Sequence, residues 1–240
     1  MPLTTAAQTD IGLVRSENED RLLCADDLRL YAVADGIGGL PGGGEAAQLA
    51  VTTLLRQARR AAERDELLDL PQAFQLANHE VIQLGQRFAP DIGMGTTLTV
   101  AHVLGDVLRV ASVGDSRCYL FRGNSLSLLT TDDTIEQEVI VRRARGEDVQ
   151  LEDRHRNALT RCIGQPMPLE VQVSQFPLQT GDRVLVCSDG ITRMLDESAI
   201  ARRLGQTGET TIVLGALIAD ALAKGGADNA TGVLIDIVAD

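Results

Sequence analysis

The sequence predicts an α+β fold in which antiparallel sheets pack together and helix pairs lie outside them. Three observations carry this. Apolar runs of strand length come in blocks and do not alternate strictly with helices. Two pairs of helical segments interrupt those blocks. The middle of the chain reads as successive hairpins, with Gly105-Asp106 and Gly123-Asn124 at the turns.

Taken in order, residues 28–34 run apolar and stop at Asp35, where a loop carrying six glycines leads to Gly44. Residues 44–62 then place apolar side chains at helical spacing. Residues 70–88 do so again, with Pro71 suited to a first turn. TTLTVAHVL, DVLRVASVG, SRCYLFRG and SLSLLT make the antiparallel block. The segment from Asp132 to Asn157 is densely charged and weakly β-forming, which suits a solvated helical excursion or a flap beside a site. Strands resume at LEVQVSQF and DRVLVCSD. Helices near 196–205 and 209–224 precede a last strand, TGVLIDIVA.

A chain of 240 residues, 44% hydrophobic, with no linker or repeat, is expected to form one domain over 1–240. Lys and Arg total 22 against 34 Asp and Glu, a formal charge of −12, which disfavours nucleic acid and anionic membrane as partners. The four cysteines show no Cys-x-x-Cys spacing and read as reduced thiols. The N-terminus has no basic or apolar leader pattern, and no apolar stretch reaches the ~18 residues of a membrane span. A cytoplasmic location is expected.

Three apolar strands run into aspartate: Asp35, Asp115 after Gly114, and Asp189 before Gly190. Asp228 and Asn229 stand on a glycine-rich turn before the last strand. A strand holds its end on a rigid frame, so converging ends would cluster carboxylates that repel one another unless a divalent cation joins them. Oxygen ligands suit hard ions such as Mg²⁺ or Mn²⁺. Two such ions sharing a carboxylate can hold a bridging water as hydroxide against phosphorus. Arg15, with Glu19 and Asp20 nearby, has the geometry to grip phosphoryl oxygens.

DIGLVRSENEDRL, YAVADGIGG with GEAA, GMGTTLT, VGDSRCYL, TTDDT, NALTRCIG, VLVCSDGI and GGADNATGVLI stand in the order and spacing of a known family. The chain resembles the bacterial metal-dependent protein serine/threonine phosphatases of the protein phosphatase 2C type, from about Asp10 to Ile237. The resemblance implies a four-layer α-β-β-α sandwich with a two-ion Mn²⁺/Mg²⁺ cleft at one end and phosphorylated proteins as substrates. It implies a counteracting Ser/Thr protein kinase, a monomer, and a flap at 133–157. It makes Asp35 the carboxylate bridging both ions, Gly36 a carbonyl ligand, and Asp189 and Asp228 ligands of the second ion. Asp115, with Asp189, would help hold a third, weaker ion. Glu19 and Asp20 would sit near coordinated waters, Arg15 would hold the phosphate, and Asn229 would orient water.

The chain departs from the pattern at Ile37, where many members carry a histidine as proton donor, so a coordinated water is expected to protonate the leaving alkoxide. Its three histidines, His79, His102 and His155, fall elsewhere. Two other readings stand beside this one. A nucleotide-binding module is disfavoured because Pro41 separates the glycines from the strand and no β-α-β unit encloses them. A catalytically silent phosphoprotein-binding domain of the same fold is disfavoured because Asp35, Asp189 and Asp228 are all present.

Overall fold

The computed structural model describes residues 1–166 and 168–239. Among the described residues, ten strands form two antiparallel sheets. One takes β1 (Leu3–Asp10), β10 (Ala230–Ile237), β9 (Arg183–Cys187), β6 (Arg117–Arg122) and β7 (Ser125–Leu128), in that order. The other takes β2 (Asp20–Ala25), β3 (Leu30–Asp35), β4 (Leu98–Leu104), β5 (Val107–Val113) and β8 (Gln172–Pro177). Helices α1 (Gly43–Glu63) and α2 (Leu70–Phe88) cover the β2–β8 sheet. Helices α5 (Glu197–Leu204) and α6 (Thr210–Ala223), with the one-turn α4 (Asp189–Thr192), cover the other.

Alternation along the strands builds three apolar layers. Leu30, Ala32 and Ala34 of β3 face α1 and α2, while Tyr31 and Val33 face the opposite sheet with Val184, Val186, Val233 and Ile235. Ala46, Ala47 and Ala50 bring α1 close to its sheet, and Leu54, fully buried, fills the space beyond. Truncating such a leucine to alanine costs roughly 2–5 kcal/mol. The layer order expected from the sequence is the layer order found.

Asp69 caps α2 by accepting from the Gln72 N–H at 3.0 Å, with Pro71 in the first turn as expected. The charged stretch is a helix, α3 (Ile135–Ala144), followed by loop and a 3₁₀ turn at Asp153–His155. It returns to the body through the Ile135 N–H, which donates to the Ala158 carbonyl at 3.0 Å.

Strand polarity gathers the aspartates. In register, Asp20 at the start of β2 opposes Asp35 at the end of β3, Leu98 opposes Val113, and Cys187 opposes Gly232 and Arg117. The ends of β3, β5 and β9 and the starts of β2, β4, β6 and β10 therefore lie along one end of the sandwich.

Candidate metal centre

That end holds a cleft of about 420 Å³, lined among others by Arg15, Glu19, Asp35, Gly36, Asp115, Asp189, Asp228 and Asn229. Of the expected site residues only Asp20 is absent from the lining. It lies just beneath, 2% exposed, with Oδ2 accepting from the Ser188 hydroxyl at 2.7 Å.

Buried hydroxyls and backbone groups form the floor. Ser188 Oγ also accepts from the Thr231 N–H at 3.1 Å, tying the end of β9 to β10. Thr97 Oγ1 accepts from the Asp35 N–H at 3.0 Å and shares a 2.7 Å hydrogen bond with Ser116 Oγ, tying β3 to the approach of β6. The Asp35 carbonyl accepts from Thr97 N–H at 2.8 Å and Thr96 Oγ1 at 2.9 Å. Asp35 thus stands on a backbone that cannot shift without breaking bonds between both sheets. Two glycines permit the close approach: a Cβ on Gly36 would lie 2.4 Å from the Gly43 backbone, and one on Gly190 only 1.9 Å from the Asn229 carbonyl oxygen.

The carboxylates are undercompensated. Burial, then the charges of Asp20 and Asp189, pushes Asp35 well above the ordinary carboxylate range. Burial pushes Asp20 up to about 7, with the charge of Asp189 adding to it. Asp115 is also pushed up to about 7, by burial and then Asp189, against the opposing charge of Arg193. Asp189 is raised by burial despite Arg193. Oδ1 of Asp20 and Oδ1 of Asp189 are buried without a partner.

Two arginines supply part of the missing positive charge. Arg15 Nη2 lies 2.7 Å from Asp228 Oδ2, and Arg193 Nη2 lies 2.5 Å from Asp189 Oδ2 and 3.4 Å from Asp115 Oδ2. Among the described residues no three His, Cys, Asp or Glu side chains close round one point as they stand. The donor set still fits hard divalent ions: all-oxygen, net negative, with buried unpartnered oxygens. Asp228 would have to release Arg15 to ligate one through the same oxygen.

Asn229 departs from its expected role. Both amide hydrogens are committed, to the Ile11 carbonyl at 2.9 Å and the Glu17 carbonyl at 3.0 Å, while Oδ1 accepts from the Glu19 N–H at 2.8 Å. No amide donor is left to orient water. The side chain instead pins residues 11–19, the loop that carries Arg15 and Glu19, and its own N–H donates to Asp228 Oδ1 at 2.9 Å.

Sequence reasoning missed two residues here. Arg193 follows Asp189 by one helical turn, a spacing that is informative only once a helix is known to follow β9. Asp133 accepts from the Gly114 N–H at 3.0 Å and pairs with Arg161 at 2.6 Å, holding the loop that presents Asp115. Ile37, Leu159 and Cys162 also line the cleft, and burial pushes the Cys162 thiol up to about 11. Of the histidines, His79 is bonded to Gln83 on α2, His102 is buried in β4, and His155 is exposed beside Glu152; none lines the cleft.

Fold and site define an acidic, oxygen-lined cleft at the end of a four-layer α-β-β-α sandwich. The sequence matches the family described as protein phosphatase 2C over residues 15–224. Serine/threonine protein phosphatase PstP of Mycobacterium tuberculosis is 34% identical over 238 residues, 98% of this chain and 45% of PstP. The chain thus spans less than half of that relative's length. Serine/threonine phosphatase stp of Listeria welshimeri is 31% identical, covering 95% of this chain and 94% of stp. Among solved structures, the catalytic domain of PstP in complex with two manganese ions superposes with a TM-score of 0.82 at 34% identity over 99% of each chain. PppA of Pseudomonas aeruginosa superposes at 0.85 with 27% identity, over 98% of this chain and 97% of PppA. The chain belongs to the protein phosphatase 2C family.

Proposed function

We propose that this chain is a metal-dependent protein serine/threonine phosphatase, residues 1–240 acting as one catalytic domain that hydrolyses phosphoserine and phosphothreonine by direct attack of water. The observation that carries this is the convergence of Asp35, Asp115, Asp189 and Asp228 on one cleft with Arg15 at its mouth. Two divalent ions, Mn²⁺ or Mg²⁺, would supply Lewis acidity that activates water and offsets charge on the phosphoryl oxygens.

The chain's own residues do the rest. Asp35, Asp189 and Asp228 would offer carboxylates and Gly36 its carbonyl as ligands to those ions. Glu19 and Asp20 are acceptors beside them. Arg15 takes two phosphoryl oxygens with its planar guanidinium, aligning phosphorus with the nucleophile. Ile37 offers no proton, and protonation of the leaving alkoxide is assigned to water in the cleft. The flap at 133–157 leads into Asn157, Ala158 and Leu159, which form one wall. A protein substrate therefore meets it beside the phosphate.

The reading places the chain opposite a Ser/Thr protein kinase, acting as a monomer in the cytoplasm. The four cysteines are free thiols, and no helix among the described residues is long and apolar enough to cross a membrane. Turnover of a phosphothreonine peptide in ¹⁸O-water tests the reaction. It should give phosphate with one solvent oxygen and no phosphoenzyme burst. A burst would contradict direct attack, and bound metal without release would favour a silent binding domain.

A further inference from the structure

We infer that Arg193 is a built-in cation for the Asp115–Asp189 pair, standing where a third divalent ion would otherwise bind, so that this chain works with two ions. The inference rests on the two-ion reading above and corrects the expectation that Asp115 and Asp189 hold a third.

The geometry divides the oxygens of Asp189 between two duties. Oδ2 meets Arg193 Nη2 at 2.5 Å, while Oδ1 is buried with no partner and is the oxygen left for an ion. The same Nη2 reaches Asp115 Oδ2 at 3.4 Å. One guanidinium therefore spans both carboxylates, and both aspartates are buried.

Each member of the trio is held in place by hydrogen bonds of its own or of its chain neighbours. The Arg193 N–H donates to the Asp189 carbonyl at 2.8 Å, closing the turn of α4. Gly114, before Asp115, donates to Asp133 Oδ2 at 3.0 Å, and Ser116, after it, bonds Thr97 at 2.7 Å. Arginine stays charged at any working pH and delocalises its charge over a plane that can face two acceptors. A divalent ion bound to both Oδ2 atoms would have to displace that guanidinium and lie against its charge, and like charges in a partly buried site repel strongly.

The proposal assigns Asp115 a role through Arg193: it fixes the guanidinium, and Arg193 in turn holds Asp189 with Oδ1 toward the ions. Arg193 is thus a positioning residue, acting on the ions through Asp189.

The test counts Mn²⁺ bound to the full chain by calorimetry and electron paramagnetic resonance. Wild type should bind two ions, and Asp115→Asn should leave that count at two. Arg193→Met should bind a third, weaker ion that is lost again in the Arg193→Met/Asp115→Asn double variant, while Arg193→Lys stays at two. A third ion in wild type that Asp115→Asn removes would overturn the inference. So would two ions in an Arg193→Met protein that melts as wild type does. If Arg193→Met fails to fold, the Asp115→Asn count on the otherwise wild-type chain still decides. Wild type binding no Mn²⁺ would overturn the two-ion reading itself and the inference with it.

Discussion

Arg15 Nη2 reaches Asp228 Oδ2 at 2.7 Å, joining the loop after β1 to the turn before β10. The pair sets the expected phosphate ligand directly against an expected metal ligand. Hydrogen bonding to Asp228 raises the pKa of the Arg15 guanidinium above its ordinary value, so the group is a permanent cation at the cleft mouth.

Replacing Arg15 by alanine should therefore act on substrate, not on fold. The pair's side chains are 41% and 21% exposed, so its loss should cost no more than about 1 kcal/mol of stability. Loss of charge-assisted bonds to phosphate, about 1.5–3 kcal/mol, predicts a fall in kcat/KM of roughly 10–150-fold, chiefly through KM. Arg15→Lys should recover only part of it, because an ammonium cannot take two oxygens in a plane. Steady-state kinetics on a phosphothreonine peptide checks this.

Asn229 should behave differently. Its three side-chain bonds anchor residues 11–19, so Asn229→Ala should cost about 2–4 kcal/mol in urea unfolding and also lower kcat/KM by loosening Arg15. Asn229→Asp should not rescue, because a carboxylate cannot donate to the carbonyls of Ile11 and Glu17.

His102 gives a pH dependence at the opposite end of the sandwich from the cleft. Burial, then the charge of Arg109 opposite it, lowers its pKa to about 4, and its Nδ1 is buried without a partner. Between that value and the ordinary 6.5 the unfolded chain takes up a proton that the folded chain refuses. Stability from this group is thus complete above pH 6.5 and lost as pH falls toward 4, by on the order of 3 kcal/mol. His102→Leu should flatten that part of the melting profile. An unchanged acid slope would contradict the assignment.

Much of this architecture was legible. Helices α1 and α2 and strands β3 and β9 announce themselves by period and apolar runs, and the order of strand blocks and helix pairs gave the layers. β1 did not announce itself: of its eight residues only Ala6 is buried, because it is an edge strand held by its ladder to β10. The aspartates were legible as strand ends, since antiparallel polarity alone brings such ends together. The partners of those aspartates were not. Arg193 depends on a one-turn helix with no periodicity to detect. The hydroxyls of Ser188, Thr97 and Ser116 read in sequence as ordinary strand termini. From the resemblance, Asn229 is expected to orient water, whereas its hydrogen bonds run to a loop more than two hundred residues away.

The central claim is that carboxylates at converging strand ends hold the ions that drive phosphoester hydrolysis. It is tested most directly by phosphate release from a phosphothreonine peptide with Mn²⁺, comparing wild type with Asp35→Asn and then adding EDTA. Wild type should release phosphate until EDTA is added, and an Asp35→Asn protein that folds as wild type does should release none. Release by Asp35→Asn at the wild-type rate, or release by wild type undiminished by EDTA, would contradict it.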